Sequence, residues 1–386
     1  MRKNSESRQR KSLIQSATIA SSLCMAAAVV GLAQRPADTP TSDAALAYQI
    51  VPIPAGIRIE RDVIVTMPDG VRLAGNVFRP EKPGRYPVIL SMTPYGKDQT
   101  PPTYDGQGEP IPGTYSPFVD RVWAYGADLG HMKVSMLTAW EAPDPAFWVP
   151  RDYAVMIVDR RGGFKSGGTA PTAFEQAQDI HRVIEWVATQ PWSSGNVGML
   201  GVSALATNQF YAASVQPPSP HLKAIVPWEG QTDVYRDSMF WGGIPETNFT
   251  HRDTRVALAK LPPGEVASAW AEATDPVRRQ SMLQAVPKME VSTVPALIAA
   301  SWSDKGLHTR GTFEGFRRIG SPDKWLYTHG GRKWERFYSE DGLAYQKKFF
   351  DYFLKGEDNG WRSTPKVRLE VRSTRDEYAV RVRKLR

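Results

Sequence analysis

Apolar residues gather along this chain into short, nearly continuous runs separated by helical stretches and glycine-rich turns. Residues 87–92, 154–158, 197–200, 224–227, 295–300 and 324–328 are almost wholly apolar, as expected of strands buried on both faces of a parallel sheet. Between the second and third runs, Ile180, Val183, Ile184 and Val187 fall at i, i+3, i+4 and i+7, with Glu175 and Asp179 in the early turns, which predicts an amphipathic helix. Strand, helix and strand in that order form a βαβ unit with a right-handed crossover. Upstream, two alternating stretches, 63–65 and 71–77, flank Pro68-Asp69-Gly70, whose Asp-Gly step predicts a hairpin. Residues 205–215, rich in alanine, read as a helix, and 345–354 read as a closing helix stopped by Gly356. The expected class is therefore α/β: a doubly wound, mostly parallel sheet spanning about 57–360.

Two segments break the alternation. Residues 98–150 are dense in Pro, Gly and aromatics, and so long a loop in a compact body is usually a functional cover. Residues 234–291 lack long strand runs but hold helical pieces at 262–273 and 276–286, which predicts an inserted helical cap.

Composition changes this picture mainly at the ends. The formal net charge of the 386 residues is +8, but residues 1–34 contribute +4 and residues 361–386 contribute +6, leaving the body at −2. A nearly neutral body argues against a nucleic-acid partner, whose basic residues should line a folded face. The N-terminal excess (Arg2, Lys3, Arg8, Arg10, Lys11) precedes an uncharged run over 13–34. That layout predicts a signal peptide over 1–34 and an exported protein, periplasmic or secreted, with a membrane anchor as the alternative if the segment is retained. Residues 35–56 read as a linker. The single cysteine, Cys24, lies inside the expected signal, so a mature chain would have neither a disulfide nor a cysteine-based zinc site. No cofactor or metal is expected, and no stable membrane insertion after signal removal.

The chemistry concentrates at the strand ends, where ligands of doubly wound sheets sit. Ser203 follows the 197–200 run and precedes the 205–215 helix, in Gly201-Val202-Ser203-Ala204-Leu205-Ala206. Small residues two before and three after it suit the strained turn of a nucleophile elbow, although the second glycine of that motif would fall at Leu205. Asp304 and His329 each follow a later strand, giving the order Ser, Asp, His of the α/β-hydrolase fold. A serine hydroxyl needs an imidazole to take its proton, and the imidazole needs a carboxylate to fix its tautomer. His308 is the chief rival to His329, because it follows the same strand as Asp304 but at a position expected to be helical already. Charge developing on a substrate oxygen needs donors in place, for which the Ala204 amide and the Tyr95 hydroxyl are candidates. Trp140, Trp148, Trp228 and Trp241 are candidate walls of an acyl pocket. Asp159 and Arg161 read as a structural ion pair beneath the site.

A dispersed set of motifs carries a family resemblance: MPDGVRLAGNVFRP, TPYGK, DRRGG, QPWSSGNVGMLGVS, PWEG, Trp302 to Asp304, KWLYTHG and FFDYFLKGEDNG. Together they resemble the cocaine esterase and X-prolyl dipeptidyl-peptidase-like serine hydrolases, the CocE/NonD type. The resemblance implies an α/β-hydrolase fold, Ser203 as nucleophile with Asp304 and His329, and an oxyanion hole of Tyr95 and the Ala204 amide. It also implies hydrolysis of an ester or amide without a cofactor. The chain departs from the family pattern at Ala204, where an aromatic is usual, and at Phe164. It departs again after residue 360, where a β-sandwich is expected. Two alternating stretches within 361–386 read as the remnant of that sandwich.

These observations lead to a serine hydrolase acting on a small ester or amide through an acyl-enzyme. One alternative is an X-Pro dipeptidyl-peptidase, for which Glu229 is a candidate to hold the substrate amine. The other is a non-catalytic binding or remnant protein.

Overall fold

The computed structural model describes residues 48–101, 132–245, 280, 283–374 and 377–383. The expected signal peptide, most of the linker, residues 102–131 of the long loop and most of the expected cap lie outside the described residues.

The molecule is built on one ten-stranded sheet. In chain order its strands are β1 (Ile57–Thr66), β2 (Arg72–Pro80), β3 (Tyr86–Thr93), β4 (Ala154–Asp159), β5 (Ser193–Val202), β6 (Leu222–Trp228), β7 (Ala296–Ser301), β8 (Lys324–His329), β9 (Val367–Arg372) and β10 (Tyr378–Arg383). Across the sheet they run β10-β9-β8-β7-β6-β5-β3-β4-β2-β1. Neighbours from β4 to β9 pair in parallel; β2 is antiparallel to both β4 and β1, and β10 is antiparallel to β9. The expected hairpin is β1–β2, its turn closed by Gly70 N–H donating to the Met67 carbonyl at 2.9 Å. Asp69 Oδ1 accepts from Val71 N–H at 3.2 Å, and Gly70 takes φ 80°, a value that glycine reaches without a Cβ clash.

All residues of β3, β4 and β7 are buried, so the unbroken apolar runs reflect a sheet covered on both faces. One face packs under helices α1 (Ala173–Ala188), α2 (Ala204–Ala212) and α3 (Thr309–Arg318). The other packs under α4 (Glu340–Phe350) and the aromatic block around Trp148, Phe337 and Trp361. In α1 the predicted stripe of Ile180, Val183, Ile184 and Val187 is fully buried, worth about 1.5–3 kcal/mol per side chain. Thr172 and Glu175 start that helix with a reciprocal capping box, which satisfies two N–H groups that have no partner within the helix. Gly198 in β5 admits α4: a Cβ there would lie 2.7 Å from Phe350 Cε1.

Three expectations change. The last two strands do not stand apart as part of a second sheet, because β9 pairs with β8 and extends the main one. Two strands alone bury little, and the free edge of β8 supplies the missing partner. Arg161 pairs not with Asp159 but with Asp179 at 2.7 Å and Asp69 at 2.5 Å. Asp159 instead accepts the backbone N–H groups of Lys97 at 2.6 Å and Lys165 at 3.2 Å. The closing helix ends in a wider turn, Asp351–Lys355, before Gly356 takes φ 74°. Among the described residues no helix is long and apolar enough to cross a membrane.

Candidate active site

Ser203 occupies the turn between β5 and α2 with φ 59° and ψ −114°, a conformation that costs on the order of 1–3 kcal/mol for a non-glycine residue. Its surroundings hold it there. Ser203 N–H donates to the Trp228 carbonyl at 3.1 Å, and Val202 N–H to the Glu141 carbonyl at 3.0 Å. A Cβ on Gly201 would lie 2.5 Å from Leu205 Cβ, so the expected small residue two positions before the serine is a steric requirement. On the far side a Cβ on Gly230 would come within 3.0 Å of Ala206 Cβ. Ala206 and Gly230 together therefore provide the clearance that a second motif glycine would give.

The histidine facing Ser203 is His308. Its Nε2 lies 3.0 Å from Ser203 Oγ, and its Nδ1 lies 2.5 Å from Asp304 Oδ2. Asp304 and His308 both belong to the turn that leaves β7. The N–H groups of Leu307, His308 and Thr309 converge on the Asp304 carbonyl at 3.1–3.2 Å, and α3 begins only at Thr309. His308 is thus the residue before the helix, not part of it. Two side chains four apart on one helical turn lie side by side, and that spacing was the signal in the sequence for this pair.

His329, expected to meet Ser203, sits elsewhere. It closes β8, fully buried, with Nδ1 3.2 Å from the Gly331 carbonyl and Nε2 3.0 Å from Glu229 Oε1. Its ring stacks on Trp228 at 5.6 Å. Burial, and after it the Arg336 guanidinium, push its pKa down to about 3. Burial, and after it Asp304, raise the Glu229 carboxyl well above its usual range. Both shifts favour the uncharged forms. The Gly331 carbonyl can only accept, which places the His329 proton on Nδ1 and leaves Nε2 as an acceptor.

The end of β8 supplies the site with Lys333 instead, a residue the sequence reading did not single out. Gly330 and Gly331 turn the chain, and Lys333 opens the short helix Lys333–Phe337. Its Nζ lies 3.1 Å from Asp304 Oδ2. Burial alone would raise the Asp304 pKa; Lys333 and then His308 outweigh it and hold the carboxyl well below its usual range. Burial, then Lys333, lowers the His308 pKa against the pull of Asp304.

Tyr95, two residues beyond β3, is buried with its hydroxyl engaged by Ser203 and Glu141, and burial and then Glu141 raise its pKa well above the usual value. It is therefore a neutral phenol at any working pH, able to donate. Ala204 is the first residue of α2, a position whose N–H has no partner within the helix. Glu141, at φ 64°, accepts from Trp334 Nε1 at 3.0 Å. Burial raises its pKa to about 7 against Lys333, Trp334 and Tyr95.

The four candidate pocket tryptophans separate into two groups. Trp140, buried, with its ring tilted against Trp334 at 5.0 Å and adjacent to Glu141, borders the elbow. Trp241, 40% exposed, lies over the turn between Asp304 and His308, 3.3 Å from where a Gly306 Cβ would stand. Trp148 packs inside the core against Tyr153 and Phe350. Trp228 packs there too, against Tyr327 and Phe337. Both large rings fill space beneath the sheet and have no face toward a substrate. The described residues contain no group of three or more His, Cys, Asp or Glu able to hold a metal ion.

The family model described as X-Pro dipeptidyl-peptidase (S15 family) matches residues 69–283, more than half of the chain. The chain belongs to this family. Among relatives of this S15-family chain, the cocaine esterase of Rhodococcus sp. (strain MB1 Bresler) is 27% identical over 374 residues, covering 81% of this chain and 58% of that protein. A CocE/NonD family hydrolase from Staphylococcus aureus superposes with a TM-score of 0.71 at 40% identity, covering 84% of this chain and 55% of that one. An α-amino acid ester hydrolase, at 17% identity, TM-score 0.56 and coverage of 91% and 62%, shares the fold. The expected α/β-hydrolase architecture is thereby shown. The S15-family chain spans little more than half the length of the first two of these proteins.

Proposed function

We propose that this chain is a serine hydrolase that cleaves a carboxylic ester or amide through an acyl-enzyme at Ser203, with His308 as its base and Asp304 as the carboxylate behind that base. One observation carries the reading: the unbroken row from Ser203 Oγ to His308 Nε2 at 3.0 Å and from His308 Nδ1 to Asp304 Oδ2 at 2.5 Å. Ionised Asp304 accepts the Nδ1 proton and so fixes the tautomer with Nε2 unprotonated toward the serine. As Oγ bonds to the substrate carbonyl carbon, its proton passes to Nε2. The carbonyl oxygen becomes an oxyanion within reach of two donors, the Tyr95 hydroxyl and the Ala204 N–H. Collapse of the intermediate breaks the bond to the alkoxide or amine, which takes the proton from Nε2. Water then repeats the sequence on the acyl-enzyme and frees the acid. Esters are the preferred class, since an alkoxide leaves more readily than an amine. Trp140 and Trp241 flank the site as apolar surface for the acyl or leaving group.

The family description supports an X-Pro dipeptidyl-peptidase as the second reading. Glu229, the carboxylate considered for the substrate amine, does not serve it here, being fully buried and turned to His329.

The test is labelling with a fluorophosphonate probe, followed by turnover of 4-nitrophenyl butyrate and glycyl-prolyl-4-nitroanilide. Labelling that Ser203→Ala abolishes, with butyrate turnover, is the expected result. Anilide turnover alone favours the peptidase. A folded sample that neither labels nor turns over either substrate contradicts a hydrolase.

A further inference from the structure

Lys333 stands within the electrostatic reach of three carboxyl groups, half-buried Asp304 and fully buried Glu141 and Glu229, and the hydrolytic steps above make no use of it. Lys333 has a side chain only 12% exposed, and its Nζ stands 3.1 Å from Asp304 Oδ2 and 3.4 Å from His308 Nδ1. Glu141, ahead of the elbow, and Glu229, at the end of β6, also act on it; burial opposes its charge, but Asp304, Glu141 and Glu229 outweigh burial and raise its pKa. Its ammonium also lies 4.7 Å from the Trp334 ring centre, a cation–π contact.

An ammonium in this position is not explained by packing alone. A buried charge is unfavourable unless paired, and an apolar side chain of the same length would fill the space. Asp304 already has a hydrogen-bond partner in His308, which orients the carboxylate without a second donor. The 3.4 Å approach to Nδ1 is more telling. That nitrogen carries the proton shared with Asp304, and so it offers the ammonium no lone pair. A fixed positive charge this close to the ring disfavours the imidazolium and favours the free base.

We propose that Lys333 is a positioning residue of the hydrolytic site, a fixed cation that anchors the Asp304 carboxylate and sets the pH range over which His308 acts as a base. The proposal rests on the reading of Ser203, His308 and Asp304 as the reacting row. Two consequences oppose each other. His308 stays unprotonated, and competent to accept the Ser203 proton, in mildly acidic solution. Once it has accepted that proton, the imidazolium is a stronger acid toward the leaving group. Removing the charge therefore moves the acidic limb of kcat/KM to higher pH, since that limb reports the free enzyme's base.

Glu141, with a pKa raised to about 7, titrates in the same region, and burial raises Tyr95 and Glu229 well above their usual values. The experiment must therefore observe His308 itself. In the full chain, the His308 imidazole is followed by nitrogen-15 NMR against pH, beside the pH profile of fluorophosphonate labelling. Lys333→Met, Lys333→Gln and Lys333→Arg are compared with wild type. The account expects the His308 midpoint and the acidic limb to rise together by roughly one pH unit in Lys333→Met and Lys333→Gln, the low end of what a neighbouring charge produces. It expects both to stay in place in Lys333→Arg. Lys333→Gln retains a hydrogen-bond donor for Asp304 and keeps the test available if the methionine variant does not fold. Midpoints unchanged in the neutral variants, with labelling merely slower at every pH, would overturn the proposal and leave Lys333 a structural ion-pair partner. A His308 midpoint that shifts in a protein whose Ser203 never labels would uphold the electrostatic claim while removing the hydrolase reading, so the two can fail separately.

Discussion

Two buried histidines in this molecule each face a carboxyl group, and they differ in almost everything else. His308 lies in a charged cluster: Asp304 is ionised, Lys333 stands 3.1 Å from it, and Ser203 Oγ is 3.0 Å from the imidazole. His329 lies among aromatic rings, stacked on Trp228, with the buried Glu229 as neighbour, and its Nδ1 is turned to the Gly331 carbonyl. The comparison teaches that a histidine–carboxyl contact has no fixed meaning. A nearby cation keeps the Asp304 carboxyl ionised, so it can support an imidazolium in the transition state. At the other centre burial is the largest influence, favouring the protonated form of Glu229 and the uncharged form of His329.

Substitutions that strike the two centres separately should therefore give different outcomes. The largest effect is expected for Ser203→Ala and His308→Gln, each lowering kcat by roughly 10⁴- to 10⁶-fold, measured with an activated ester. Tyr95→Phe should follow, with a loss of about 10²- to 10³-fold concentrated in kcat, the size typical of one oxyanion donor. His329→Gln should reduce kcat less than tenfold but lower stability by about 1–3 kcal/mol in urea unfolding, because the Gly331 and Glu229 contacts lose their partner.

The neutral pair also makes a pH prediction. His329 has a folded-state pKa near 3 against an ordinary 6.5, so the unfolded chain binds the extra proton between those values. Its contribution is complete above about pH 6.5 and is lost as pH falls toward 3, at up to about 1.4 kcal/mol per pH unit. Glu229, raised above its ordinary 4.5, has the opposite sign: its contribution is complete below about 4.5 and declines as pH rises. His329→Gln should flatten the acid-side loss of stability between pH 6.5 and 4. An unchanged slope there would mean that His329 is not held neutral.

Much of this was legible in the sequence, for identifiable reasons. Strands covered on both faces need apolar residues at every position, so β3, β4 and β7 announce themselves as unbroken runs. Ser203 was legible because steric clearance at Gly201 and Ala206 is a local demand. Asp304 was legible from its place just after β7. The histidine was not, because placing the base at the next strand end overlooks how tightly the chain turns after β7. Three N–H groups folding onto one carbonyl bring residue 308 back beside residue 304 before α3 begins. Lys333 was illegible for a different reason: a buried cation has no periodic signature, and only the turn at Gly330-Gly331 shows where the chain after β8 is directed. The strands of 361–386 were legible as strands but not in their pairing, which depends on an edge distant in the sequence.

The most direct measurement is the second-order rate of fluorophosphonate labelling at Ser203 in His308→Gln and His329→Gln, both verified as folded. The account predicts that labelling falls by at least a thousandfold in His308→Gln and stays within about tenfold of wild type in His329→Gln. The reverse pattern, with His308→Gln labelling normally and His329→Gln silent, would contradict it.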